Sequence, residues 1–317
     1  MQAIIPWLTL LAGFVVLAWS ADRLVAAASA LALHLGLTPV LVGLLIVGFG
    51  TSTPELLVSA LAALEGQPEL ALGNALGSNI ANVGLILGVT LVLFPLPRQA
   101  AGQGLTVLLL TVATTVTLVL LANLHLGRLE GGMLMLGLAL SLAWLVRASL
   151  REPTPQAGIP SAAAMGPARS TIELLLALLV LLASARALVW AAVTLAEQAG
   201  ISELVIGLSI VAVGTSLPEL ATTIAAARRR ELGMLYGNLI GSNLFNLLAV
   251  LGVTALLQPL TIAPVVFLRD GLTMAALTLP LIVLGLGRIS GTRVLGMALL
   301  VIYFSYQGLL FVGSAVT

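Results

Sequence analysis

The chain has no cysteine and no lysine, and only 8% of its 317 residues carry a charge. Without cysteine there is no disulfide framework, no thiolate metal site and no sulfur nucleophile. Only two histidines occur, His34 and His125, far apart and near predicted helix ends, which argues against an imidazole-held metal. A typical soluble domain carries about 25% charged residues, so this chain lacks the surface charge to stay in water. Its arginines form no nucleic-acid-binding patch, and a net charge of +1 points to no macromolecular partner. The N-terminus, Met1-Gln2-Ala3-Ile4-Ile5-Pro6, lacks the basic stretch and small-residue cleavage site of a signal peptide. The first apolar segment is therefore expected to be a retained helix.

Hydrophobic sequence fills the chain instead, at 60% of residues and a mean hydropathy of +1.18. The apolar runs are too long and too many for one buried core, so the expected fold class is an all-α polytopic membrane protein. Hydropathy punctuated by Gly, Pro and charge predicts ten transmembrane helices near 4–32, 38–63, 69–95, 104–122, 129–148, 171–195, 202–227, 233–258, 265–287 and 293–315. A linker at 151–170, rich in Pro, Ala, Gly and Ser, divides a first five-helix half at 1–150 from a second at 171–317. Placing both termini outside puts Arg98, Arg147, Arg151, Arg169, Arg228, Arg229, Arg230, Arg288 and Arg293 in cytoplasmic connections, with Glu65, Glu69, Glu197 and Glu203 opposite. The chain is thus expected in the plasma (inner) membrane with its central loop cytoplasmic. The Arg228–Arg230 run reads as a topology determinant. Asp22 with Arg23, and Arg269 with Asp270, read as local ion pairs, and Trp7, Trp19 and Trp190 as interfacial anchors.

Residues 43–88 align without a gap on 207–252, with 20 of 46 positions identical. Because each half has an odd number of spans, the copies enter the membrane from opposite sides, giving two inverted five-helix repeats. Such repeats build a substrate site at the bilayer midplane between discontinuous helices.

Two signatures recur. Gly50-Thr51-Ser52-Thr53-Pro54-Glu55 returns as Gly214-Thr215-Ser216-Leu217-Pro218-Glu219. A charge at mid-membrane costs about 2.5–3.5 kcal/mol on the lenient insertion scale, so Glu55 and Glu219 each need a compensating partner. Pro54 and Pro218 have no N–H, which frees the carbonyls of Gly50 and Gly214. Carbonyl, hydroxyl and carboxylate oxygens are the ligands that Na⁺ and Ca²⁺ prefer. A proline kink packed against its neighbours is the simpler reading of either proline alone. The second signature, Gly73-Asn74-Ala75-Leu76-Gly77-Ser78-Asn79-Ile80-Ala81-Asn82, returns as Gly237-Asn238-Leu239-Ile240-Gly241-Ser242-Asn243-Leu244-Phe245-Asn246. Its glycines at i, i+4 invite close helix approach. Ser78 with Asn82, and Ser242 with Asn246, share a helix face and can point at one ion. Asn74, Asn79, Asn238 and Asn243 read as interhelical donors.

These paired signatures resemble the α-repeats of the cation/calcium exchanger superfamily, especially the prokaryotic sodium/calcium antiporters. The resemblance implies that Glu55 and Glu219 coordinate Ca²⁺ and that Thr51 and Thr215 supply oxygens to Ca²⁺ or Na⁺. It also implies flanking Na⁺ sites at Ser52, Ser216, Ser78 and Ser242, with Asn82 and Asn246 facing the centre. Several family members, the potassium-dependent branch among them, carry Asp where this chain has Asn246, which departs from them and resembles the potassium-independent exchangers. The large regulatory insert of animal exchangers is missing. The first and sixth spans become the candidate gate, by resemblance alone.

The expected function is Na⁺/Ca²⁺ antiport by alternating access. Two carboxylates balance one Ca²⁺, whereas three Na⁺ leave the site one charge positive, so exchange is expected to be electrogenic. A proton/calcium exchanger is the alternative, since desolvated glutamates also take protons, and a passive cation channel is more distant. No enzymatic activity and no cofactor are expected; Ca²⁺ and Na⁺ are substrates, and the lipid bilayer is the partner. Oligomeric state is open, a monomer being the default.

Overall fold

A computed structural model describes residues 4–98, 103–149, 166–199 and 212–314. These residues are helical apart from short connections. In chain order the helices are α1 (Ile4–Leu35), α2 (Pro39–Thr51), α3 (Thr53–Leu64), α4 (Pro68–Leu93), α5 (Gly104–Ala122) and α6 (Arg128–Ser149). Then follow α7 (Pro167–Gln198), α8 (Ala212–Thr215), α9 (Leu217–Arg228), α10 (Leu232–Leu257), α11 (Pro264–Gly285) and α12 (Arg293–Ser314). Among the described residues eight helices are long and apolar enough to cross a membrane; α2 and α3 meet at a 44° bend and count as a ninth if the pair is one span. The expected seventh span begins in residues 202–211, which lie outside the described residues, as does most of the expected linker.

The helices sort into a centre and a periphery. In the most apolar windows of α4 and α10, 72% and 83% of residues are buried, against 28% for α1 and 22% for α6 and α12. Polarity follows the same division. The serines and asparagines of the second signature lie on the two central helices, while α1 turns Leu8, Leu11, Val15 and Trp19 outward. An apolar face left uncovered on this scale suits lipid, where it costs nothing. Trp7, Trp19 and Trp190 are exposed, as interfacial anchors would be.

Glycine sets the closest approaches. A Cβ at Gly241 would stand 2.8 Å from the Leu44 backbone, and one at Gly43 would stand 2.7 Å from the Met234 carbonyl, so α2 lies directly on α10. A Cβ at Gly131 of α6 would stand 2.8 Å from the Gly252 carbonyl, and one at Gly296 of α12 would stand 2.7 Å from that of Gly88. These two crossings are one contact made twice, each time between the halves, since Gly88 and Gly252 are repeat partners. The connections repeat the pattern. Leu126 pairs with Leu260 in a two-stranded antiparallel ladder, β1 (His125–Leu126) with β2 (Leu260–Thr261), and Leu96 bridges to Gly291 in the same antiparallel sense. The first part of α4 packs on the second part of α10, and the first part of α10 on the second part of α4.

Charge pairing departs from the expected local pattern. Asp22 does not pair with Arg23. Its carboxylate accepts from Arg228 and, through both oxygens, from Arg229 at 2.7 and 2.5 Å. Arg23 instead donates to Glu173 of α7 at 2.9 Å and lies over the Trp19 ring at 5.7 Å. The next residue on a helix points about 100° away, so neighbours in sequence reach different partners. Arg269 and Asp270 do pair, at 2.6 Å, with the Tyr306 hydroxyl donating to the same carboxylate at 3.0 Å.

Two outcomes test this packing. Gly131→Ala drives a methyl into backbone and should cost at least the 1–3 kcal/mol typical of overpacking, read as a lowered melting midpoint in detergent. Gly132→Ala, whose Cβ meets nothing within 4 Å among the described residues, should leave the midpoint unchanged or raise it. Asp22→Asn should lower the midpoint by about 2 °C, the scale of a partly exposed ion pair of about 1 kcal/mol. That difference should shrink in high salt.

Candidate functional site

Each copy of the first signature is a broken helix. Ser52 has φ −85° and ψ 6°, and Ser216 has φ −88° and ψ 3°, so the same residue leaves helical geometry in both halves. Pro54 and Pro218 then sit in the first turn of α3 and α9, where a missing N–H is tolerated. Glu55 and Glu219 fall in that same first turn. There the uncompensated N–H groups of the helix start favour a negative charge. Both glutamates are 1% exposed.

The two halves meet at these residues. The Ser52 hydroxyl donates to Glu219 Oε1 at 3.1 Å, joining the first motif to the second. The Thr51 hydroxyl donates to the Gly48 carbonyl at 3.2 Å and lies 3.5 Å from Asn238 Oδ1. Ser242 donates to the same Gly48 carbonyl at 3.3 Å. Each of these hydroxyls gives away its hydrogen and keeps its oxygen lone pairs. Ser78, Asn82, Ser216 and Asn246 are also buried, and Thr215 is half-buried and engaged.

Helical geometry changes at the two asparagines. A π-helical segment runs from Asn82 to Leu87 in α4 and another from Asn246 to Val250 in α10. A further π segment, Gly43–Gly48, leads into the break at Ser52. Short π segments inside α-helices are common at functional sites. Nothing in the residue pattern announces them.

Several buried oxygens here have no donor among the described residues: Glu55 Oε2, Glu219 Oε2, Ser216 Oγ and Asn246 Oδ1. An unpaired buried acceptor costs about 1–3 kcal/mol, and more if charged. Orphaned carboxylate, hydroxyl and amide oxygens can be satisfied by a cation, and hard cations such as Na⁺ and Ca²⁺ bind through oxygen. The hydroxyls of Ser59, Thr222 and Thr223, also buried near the glutamates, were not marked by the motifs. Their signal is the i, i+4 spacing of Glu55 to Ser59 and of Glu219 to Thr223, repeated at the same offset.

Comparison with known proteins places this geometry. The family model described as sodium/calcium exchanger protein matches residues 5–147 and again 169–312. The putative antiporter CaxA of Alkalimonas amylolytica is 41% identical over 311 residues, covering 95% of this chain and 97% of that protein. The inner membrane protein YrbG of Escherichia coli is 37% identical over 276 residues, covering 82% of each. The solved structure of the sodium-calcium exchanger NCX_Mj soaked with zero Na⁺ and Ca²⁺ superposes with a TM-score of 0.83 at 28% identity, covering 97% of this chain and 99% of that one. The chain belongs to the sodium/calcium exchanger family.

Proposed function

We propose that this protein exchanges Na⁺ for Ca²⁺ across the plasma (inner) membrane by alternating access. The observation that carries the reading is the Ser52–Glu219 hydrogen bond, which joins one half's motif to the other's acid where buried carboxylate oxygens lack donors among the described residues. Glu55 and Glu219 bind Ca²⁺ with oxygens from Thr51 and Thr215. Na⁺ ions compete for these and for Ser52, Ser216, Ser78 and Ser242, while Asn82 and Asn246 line the centre. Shared oxygens keep the two ions from riding together.

The architecture behind this reading is ten spans in two inverted halves. It is supported by the double match to one family model, the duplicated breaks at Ser52 and Ser216, and the crossed contacts of α4 with α10. The halves then have equivalent poses facing either side, which is what alternating access requires. Both termini lie outside and the central loop lies in the cytoplasm, an orientation supported by the arginine distribution. The relative named an inner membrane protein supports the location. Two carboxylates neutralise one Ca²⁺, and three Na⁺ leave a net positive charge, so the exchange is electrogenic.

Flux into proteoliposomes tests each part. Ca²⁺ uptake should follow an imposed Na⁺ gradient, and a membrane potential should shift its equilibrium by about 2.3 kcal/mol per 100 mV for each net charge moved. Uptake that follows only a pH gradient would identify protons as the coupling ion, and uptake with no counter-ion would identify a channel. Glu55→Gln and Glu219→Gln should each reduce exchange by at least about 100-fold (near 2.7 kcal/mol) while the protein still folds. Normal exchange in either variant would remove that residue from the site.

A further inference from the structure

From sequence, Asn74 and Asn238 read as ordinary interhelical donors. The structure gives them a narrower placement. Asn74 Nδ2 donates to the backbone carbonyl of Glu55 at 3.1 Å and to the Ser59 hydroxyl at 2.9 Å. Asn238 Nδ2 donates to the backbone carbonyl of Glu219 at 3.4 Å and to the hydroxyls of Thr223 and Thr222 at 2.9 and 3.0 Å. Every member of the first set has its repeat partner in the second: Asn74 and Asn238, Glu55 and Glu219, Ser59 and Thr223.

We propose that Asn74 and Asn238 are positioning residues for ion exchange, each pinning the turn that carries a site glutamate to the helix that carries the neighbouring serine and asparagine. The proposal deepens the exchange reading and rests on it. A helical carbonyl uses one lone pair on the N–H four residues along and has a second to offer. In both halves the asparagine takes that second lone pair on the acidic residue's own peptide, and it spans one turn to a hydroxyl on the same face. The turn is thereby held against rotation and sliding.

The other end of the link explains why this matters for ions. Asn74, Ser78 and Asn82 stand at successive i, i+4 positions on α4, and Asn238, Ser242 and Asn246 do so on α10. Fixing Asn74 to Glu55 therefore fixes the register between the carboxylate and the Ser78/Asn82 face, and Asn238 does the same for Glu219, Ser242 and Asn246. Asn238 also lies 3.5 Å from the Thr51 hydroxyl, so its anchor reaches the opposite motif. A helix tie with a purely structural role has no reason to choose the peptide of the one acid in each motif. This pair chooses it twice.

The test is Na⁺-gradient-driven Ca²⁺ uptake by the full chain in proteoliposomes, with half-saturating Ca²⁺ and maximal rate measured separately. Asn74→Ala and Asn238→Ala should each raise the half-saturating concentration by roughly 10-fold or more, the usual scale for groups that orient metal ligands, with the maximal rate within about twofold. Asn79→Ala, which removes an amide of the Asn74 helix that donates to Met274 Sδ and to neither glutamate's peptide, should stay close to the unaltered protein. If the alanine variants do not fold, Asn74→Asp and Asn238→Asp keep the side-chain shape, lose the Nδ2 donors and should show the same rise. Unchanged half-saturation in the asparagine variants, or a maximal rate that merely tracks the amount of folded protein, overturns the proposal provided Glu55→Gln and Glu219→Gln are inactive. Active glutamine variants would instead overturn the exchange site itself.

Discussion

Two carboxylates buried together inside a membrane protein are the constraint on which the rest of this structure depends. Each is costly alone at that depth, and bringing them together adds repulsion. The fold offers partial relief by starting a helix just ahead of each one, so Glu55 and Glu219 sit at positive helix ends, and by lending Glu219 the Ser52 hydroxyl. These measures leave an oxygen of each carboxylate without a donor among the described residues. A protein that only needed stability would replace this arrangement with apolar residues, which is often neutral or stabilising where buried charges are concerned. Its retention in two copies makes sense when a cation from outside the chain completes it.

The small residues follow from that demand. Oxygens on α2, α3, α4, α9 and α10 can converge only if the helices approach closely, and glycine removes the side chains that would hold them apart. Gly43 and Gly241 let α2 lie on α10, while Gly131 with Gly252 and Gly88 with Gly296 seat α6 and α12 against the centre. The π segments at Asn82 and Asn246 serve the same end by another route. An extra residue in a turn rotates everything beyond it, so the face pointing inward before the segment need not be the face pointing inward after it. Both begin at the asparagine that closes the second signature.

What could be read from the residues was whatever repeats in register or depends on composition. The gapless pairing of 43–88 with 207–252 exposed both motifs, and helix bounds such as Gly104–Ala122 match the hydropathy reading residue for residue. Contacts set by how distant helices cross were hidden. Asp22 finds Arg229 across 207 positions because α1 crosses the end of α9, a choice that local spacing cannot reveal. The role of Asn74 was hidden for a related reason. Its donor can be inferred from its chemistry, but its acceptor is a backbone carbonyl, which looks identical at every residue. The Gly73 and Gly77 pair shows the converse: their repeat partners pack as expected, whereas no described atom lies within 4 Å of a Cβ at either position.

Duplication also bears on why exchange, and not simple binding, suits this geometry. A site built from one half would change its ligands when the helices move, and a bound ion would lose coordination in one of the two states. Here each proposed site residue of the first half has a counterpart in the second, as does the asparagine that grips each glutamate's peptide, although among the described residues only Ser52, and not Ser216, bonds to the opposite glutamate. A rearrangement that interchanges the surroundings of the halves can therefore preserve the donor set around the ion. Asn82 and Asn246 are neutral, so in the proposed site the charge is that of the two glutamates and one divalent cation would neutralise it. Only a neutralised or nearly neutralised site crosses a low-dielectric barrier cheaply. In the proposed exchange, two unpaired carboxylates would have to make the same passage when no ion is bound, and the energy of that step would couple one ion's movement to the other's.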